Sequence, residues 1–248
     1  MNNICCIPAR FESTRLSGKP LLTINNKTII ELVYSQVKKC KYIDNIVVLT
    51  DSDQIKTVVE SFGGNCEIIT ENCLNGTERI VKYLNKNQNS YDYVINVQGD
   101  EPFINPSSID KCIINFINNR NDPRLKCSTL HYEFKESNSV FKRSCGKLVL
   151  DKYNNILYCS RNIIPGFKKQ YYNNNYTYYG HIGIFVFDTN YLLTEYLDTT
   201  TKYQLAEDIE WMKILEDSYR INSVLVDDHE IGVDTEDDYK YLVKKYSN

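Results

Sequence analysis

Four short apolar runs constrain this chain most: NICCI (3–7), NIVVLT (45–50), CEII (66–69) and YVINV (93–97). None alternates with polar residues and none is long enough for a helix. Each reads as a strand buried on both faces. Helical spacing fills the gaps between them. Ile29, Leu32, Val33 and Val37 form one apolar stripe, and Ile55, Val58, Val59 and Phe62 form another that stops at Gly63-Gly64. Residues 77–84 and about 106–118 read as further helices. Asp51 stands where the cap of the second helix belongs, and Asp51-x-Asp53 reads as a cap with an acidic first turn. Strands alternating with helices predict an α/β fold: a Rossmann-like, mostly parallel sheet with helices on both faces.

After residue 120 the pattern changes. Residues 125–134 and 147–158 read as antiparallel strands, with DKYNN (151–155) as a turn. FKKQYYNNNYTYY (167–179) reads as a mobile Tyr/Asn-rich loop. A strand follows at 182–187, a helix at 205–215, a strand at 224–226 and a last helix at 235–246, capped by Thr235. No linker or repeat interrupts the chain. The expectation is a single domain over 1–248 with an inserted antiparallel arm at about 122–188, suited to sugar binding and dimerisation.

Composition removes several classes. The net charge is −3, and a general nucleic-acid binder is usually basic. The nine cysteines include no CxxC pair, so they read as reduced core residues and not as a metal site. No apolar window reaches membrane-spanning length, and MNNICCI resembles neither a signal nor a transit sequence. The expectation is a cytoplasmic protein without membrane or nucleic-acid partners.

Ligands of open parallel sheets bind beyond the carboxyl ends of the strands. Three polar clusters fall there. IPARFESTRLSGKP supplies Arg10, Arg15 and Lys19 after the first strand. Gln98-Gly99-Asp100-Glu101 follows the fourth, and Gly232-Val233-Asp234 follows the last. Cations can hold phosphate oxygens, and carboxylates can hold a hard metal that also touches phosphate. Together they suit a nucleoside triphosphate with Mg2+. Singly, the loop could be a solvated turn, Asp100 a turn residue and Asp234 a helix cap. His181, before an apolar strand, reads as structural. Glu207 and Glu210, three apart, share one face of the expected helix and read equally as a solvated acidic face.

IPARFESTRLSGKPL, NGTERI, NVQGDEPFI, LYCSRNIIP, GHIGIF and GVDTEDDYKYL, in this order, resemble the 3-deoxy-manno-octulosonate (Kdo) cytidylyltransferases, over about residues 4–243. The resemblance implies a fold of the nucleotide-diphospho-sugar transferase type. It implies CTP and a sugar acid as substrates, Mg2+ as cofactor and a homodimer. CTP would meet Pro8, Ala9, Arg10, Arg15 and Lys19, with Gly76, Thr77, Arg79 and Gln98 at the cytosine. Asp100 and Asp234 would hold the metal. The sugar acid would meet Lys147, Ser160, Arg161, His181, Glu207 and Glu210. The implied reaction is transfer of CMP to the anomeric hydroxyl of Kdo, with loss of pyrophosphate. The catalytic group would be Arg10, Arg15, Lys19, Asp100 and Asp234. Departures from the pattern touch the cytosine region at Cys73 and Asn75 and concentrate in the sugar half, at Ser144, Gly180 and Trp211 among others. They leave a modified Kdo such as 8-amino-Kdo, or another 2-keto sugar acid, as alternatives. A non-catalytic nucleotide-binding protein is the alternative of another class.

Overall fold

Strand β1 (Asn3–Ala9) is buried along nearly all its length and lies inside a parallel sheet. In this computed structural model the described residues are 2–12, 16–87, 90–197, 201–227 and 229–246. The chain divides into two compact units, residues 1–110 with 229–248 and residues 111–228.

In the first unit β1 leads through a small hairpin, β2 (Thr23–Ile24) and β3 (Lys27–Thr28), to helix α1 (Ile29–Val37). Then come β4 (Asn45–Thr50), α2 (Asp53–Ser61), β5 (Cys66–Ile68), α3 (Gly76–Lys86) and β6 (Tyr93–Val97). The order is β6-β1-β4-β5, with every pairing parallel. Right-handed crossovers then put α1 and α2 on one face and α3 on the other. The order reverses between β1 and β6. That is the topological switch point, where the carboxyl ends of neighbouring strands open a crevice. Arg10 and Lys19 follow one of these strands and Asp100 follows the other.

Helix α4 (Pro106–Asn119) passes from the first unit into the second. There β7 (Leu125–Glu133), the short helix α5 (Ser137–Val140), β8 (Lys147–Leu150), β9 (Ile156–Ser160) and β10 (Tyr179–Asp188) follow. Helices α6 (Thr189–Thr194), α7 (Lys202–Glu207) and α8 (Met212–Glu216) precede β11 (Arg220–Leu225). Strand β7 runs antiparallel to β10 and parallel to β11, and β8 joins β10 and β9 antiparallel. The chain returns to the first unit with α9 (Glu236–Tyr246). The α/β class and mostly parallel pairing agree with the sequence reading. The residues expected to form the inserted arm lie within the second unit. Among the described residues no helix is long and apolar enough to cross a membrane.

Three expectations need correction. The cap of α2 is Ser52, because the Asp51 carboxylate is used elsewhere. The expected helix over 205–215 is broken: α7 ends where Asp208 adopts a left-handed φ of 53°, and α8 starts at Met212. The Tyr-rich segment is packed. Tyr172 stacks on Tyr178 with ring centroids 5.2 Å apart, and Tyr178, Val140 and Ile163 form a small buried cluster with Phe134 and Phe167 against it. All nine cysteines are free thiols, six of them buried.

His131 of β7 is buried, with its Nδ1 2.7 Å from the Ser223 hydroxyl. Burial pulls its pKa from 6.5 down to about 4. Between those values the unfolded chain holds the proton and the folded chain does not. This histidine therefore stabilises the fold fully above 6.5, and the contribution is lost as pH falls toward 4. Replacing His131 by Gln should flatten the pH dependence of unfolding free energy across that window, read by urea titration at several pH values. An unchanged slope would contradict it.

Candidate active site

At the switch point a backbone hydrogen bond joins two described residues that follow β1. Gly18, at φ 65°, donates its N–H to the Phe11 carbonyl at 2.9 Å. That turn leads into a single 3-10 turn, Lys19–Leu21, which starts at Lys19. The Lys19 ammonium is 2.5 Å from Asp100 Oδ2 and 3.6 Å from Asp234 Oδ1. Three residues far apart in sequence thus meet at one point, all partly shielded from water. Asp234 is no helix cap. Thr235 Oγ1 accepts the Asp238 N–H, and Asp238 Oδ2 accepts the N–H groups of Asp234 and Thr235. The Asp234 side chain is left to face Lys19.

The loop carrying Asp100 sits tight on the end of β1. A Cβ on Gly99 would stand 2.8 Å from the Pro8 carbonyl oxygen, so only glycine lets the two backbones approach this closely. Glu101 shares the cluster. Burial first, then the Asp100 and Asp234 charges, push it up to about 8, against the pull of Lys19.

Pro8, Gly76 and Gln98 are neighbours. Gly76 opens α3, whose cap Asn75 accepts the Glu78 N–H at 2.9 Å. Asn75 Nδ2 is shut off from solvent without a hydrogen-bond partner among the described residues. Thr77 is fully buried, accepting from the Asn96 amide at 3.2 Å. Ala9 is buried, Arg10 is exposed, and Arg15 lies outside the described residues. Arg79, expected at a base, is instead spent on structure. Its guanidinium donates to the Ile69 carbonyl at 3.2 Å and to Asp51 Oδ2 at 2.8 Å. The other Asp51 oxygen accepts the Phe11 N–H at 3.1 Å. Asp51 therefore ties the cation loop to α3. Its position at the carboxyl end of a parallel strand signalled such a role, but a helix cap satisfied the same signal.

In the second unit Ser160, Arg161 and Glu207 form one knot. Glu207 accepts from Ser160 Oγ at 2.7 Å and from the Arg161 N–H at 2.9 Å. The Arg161 guanidinium donates to the carbonyls of Arg143, Ser144, Glu207 and Asp208. It caps the broken end of α7, which is why Glu207 and Glu210 do not share a helix face. Lys147 is 0% exposed, and its ammonium donates to the carbonyls of Lys142, Cys145 and Arg161 at 2.7, 2.9 and 2.7 Å. Burial lowers its pKa below the usual lysine range. All three donors are committed, so Lys147 holds the 142–146 turn and is not placed as a ligand. His181 lies on β10 against Trp211, rings 4.9 Å apart, with Nε2 3.0 Å from Thr129 Oγ1. Glu210 is half-buried. Gly180 is covered by the Tyr132 ring, 2.3 Å from where a Cβ would stand, so Tyr132 leaves no room for a side chain there.

Residues 4–221 match the model of a family described as cytidylyltransferase. The chain belongs to the cytidylyltransferase family. Among similar proteins, the 3-deoxy-manno-octulosonate cytidylyltransferase of Protochlamydia amoebophila (strain UWE25) is 34% identical over 94% of this chain and 89% of its own. The enzyme of that name from Zea mays is 36% identical over 95% of this chain and 78% of its own. A solved structure of CMP:2-keto-3-deoxy-manno-octonic acid synthetase complexed with CTP superimposes with a TM-score of 0.88 at 28% identity, covering 99% and 98% of the two chains. The resemblance read from the motifs is borne out, and the cytidylyltransferase is an enzyme of the nucleotidyltransferase class by family.

If Lys147 holds the turn as described, Lys147→Met should strand three carbonyls and cost about 3 kcal/mol of unfolding free energy. Urea denaturation reads it, and wild-type stability in the variant would contradict it.

Proposed function

We propose that this cytidylyltransferase transfers CMP from CTP to the anomeric hydroxyl of a 2-keto-3-deoxy sugar acid, Kdo, giving CMP-Kdo and pyrophosphate. The observation that carries the reading is the convergence of Lys19, Asp100 and Asp234 at the switch point of a cytidylyltransferase sheet. The names of its relatives and the CTP complex of a similar structure support the two substrates.

The anomeric oxygen attacks the α-phosphorus in line, and the bond from that phosphorus to the bridging oxygen breaks. Pyrophosphate leaves with the electron pair, and the hydroxyl proton passes to water. The chain's own work is to position the triphosphate and offset its charge. Lys19 and Arg10 carry the positive charge for this, with Arg15 in the same loop. Gly76, Thr77, Gln98 and Asn75 Nδ2 would read the base, and Ser160, Arg161, His181, Glu207 and Glu210 would shape the acceptor site.

The residues fit a Mg2+ cofactor. Two carboxylates, Asp100 and Asp234, face the same Lys19 ammonium, and among the described residues no group of three or more His, Cys, Asp or Glu could hold a metal by itself, so substrate phosphate and water would have to complete the shell. Mg2+ habitually takes one or two carboxylates and fills its octahedron with phosphate and water. Asp100 and Asp234 would hold it, and when bound it would screen the triphosphate and lower the pKa of the attacking hydroxyl.

A modified Kdo or another 2-keto sugar acid is the second reading, favoured by Trp211, a large buried ring lying against His181. The same family reading brings a cytoplasmic homodimer whose product serves lipopolysaccharide synthesis.

Pyrophosphate release should require CTP, Mg2+ and one acid among Kdo, 8-amino-Kdo and N-acetylneuraminate, with UTP and ATP inactive. Asp100→Ala should abolish turnover while the circular dichroism spectrum is unchanged. Release without any acid, or near wild-type turnover in Asp100→Ala, would contradict the assignment.

A further inference from the structure

Asp100 and Asp234 reach the switch point on two loops, and a loop keeps a carboxylate in place only where it is tied down. Part of the tie is direct. Val233 donates its N–H to the Asp100 carbonyl at 2.8 Å, and a Cβ on Gly232 would stand 3.2 Å from Glu101 Oε1. The rest comes from the far end of α9.

Helix α9 starts at Glu236, just after Asp234, and its 11 residues carry the chain roughly 16 Å further on. At that end Tyr246 turns back to both loops. Its ring stacks on Phe103, close after Asp100, with centroids 3.7 Å apart and planes at 15°. Its hydroxyl donates to Oε2 of Glu230, close before Asp234, at 2.6 Å. The Lys245 ammonium meets the same oxygen at 2.5 Å, and Glu230 Oε1 accepts the Ile231 N–H at 3.1 Å. The helix also holds the hairpin that follows Lys19. Tyr239 Oη donates to the Thr23 carbonyl at 2.8 Å, and the Asn25 amide donates to the Tyr246 carbonyl. One side chain at a helix end thus bridges the loop that carries one carboxylate and the segment that carries the other.

We infer that Tyr246 is a positioning residue: by clasping Phe103 and Glu230 together it fixes the spacing of the Asp100 and Asp234 carboxylates, and so sets how tightly they hold a divalent cation, without touching substrate. The metal half rests on the function proposed above; the clasp does not. Groups that hold metal ligands in place matter nearly as much as the ligands, and losing one weakens metal affinity about tenfold or more.

The test uses the full-length protein and two readouts. In the first, without any ligand, amide hydrogen exchange followed by NMR reads Val233 and Ile104, whose N–H groups donate to the Asp100 and Glu101 carbonyls. Tyr246→Leu removes both the stack and the hydroxyl, and should speed exchange at both amides about tenfold. In the second, calorimetric titration of CTP at graded Mg2+ gives the Mg2+ concentration for half-maximal binding. Tyr246→Leu should raise it about tenfold, with wild-type CTP affinity recovered at saturating Mg2+. Tyr246→Phe keeps the stack and loses only the hydroxyl, so it should fall between the two proteins in both readouts. Wild-type exchange in a folded Tyr246→Leu would overturn the clasp, and a wild-type Mg2+ requirement would overturn its effect on the metal. Weaker CTP binding that excess Mg2+ does not recover would mark a merely structural role and overturn the positioning one. Should Tyr246→Leu fail to fold, Tyr246→Phe decides, and wild-type values there in both readouts overturn the inference. A wild type whose CTP binding ignores Mg2+ would sink the metal reading instead, and the exchange rates would still decide the clasp.

Discussion

The Lys19 ammonium facing both Asp100 and Asp234 is the contact that gathers the loops at the switch point of the sheet. It joins three loops that the parallel sheet delivers to one place: the loop after β1, the loop after β6 and the segment before α9. Gly99 permits the second loop to lie against the first, and the Asp51 carboxylate fixes the first loop to α3 through Arg79. The tethers are a close backbone approach at Gly99, a backbone N–H of Phe11 on Asp51, and the Arg79–Asp51 ion pair. The loops are therefore held in place by the protein itself, and such preorganisation is where charge-stabilising sites gain most of their effect.

The second unit solves a different problem. Its turn at 142–146 and the broken end of α7 expose carbonyl oxygens that no strand or helix satisfies. Lys147 and Arg161 direct their N–H groups into those carbonyls, and Glu207 accepts from Ser160 and the Arg161 backbone. Basic residues that look like ligands in sequence are here largely structural cations. His181 lies against the buried Trp211 ring, with Nε2 3.0 Å from the Thr129 hydroxyl.

What could be read from sequence follows the range of the forces involved. The strands 45–50 and 93–97 were legible to the residue, because burial on both faces writes an unbroken apolar run. The meeting of Lys19, Asp100 and Asp234 was legible too, because the strand-end rule places ligands without side-chain detail. The break at Asp208 was not. It is stabilised by Arg161, remote in sequence, and local spacing reads 205–215 as one helix. The register shift between β10 and β7 beside His181 was invisible for a related reason, because a register shift leaves no mark in composition or periodicity. The Tyr-rich segment reads as loop by its polarity, yet its rings stack on one another and on Val140 and Ile163.

The proposed joint binding of CTP and a divalent cation by Asp100 and its partners is what the rest of the functional reading turns on. Calorimetric titration of CTP into the wild type and into Asp100→Asn, each with and without Mg2+, tests it most directly. Saturable one-site binding that needs Mg2+ in the wild type, and is weakened at least about tenfold in Asp100→Asn, is the expected result. Equal CTP affinity in both proteins, or affinity indifferent to Mg2+, would contradict it.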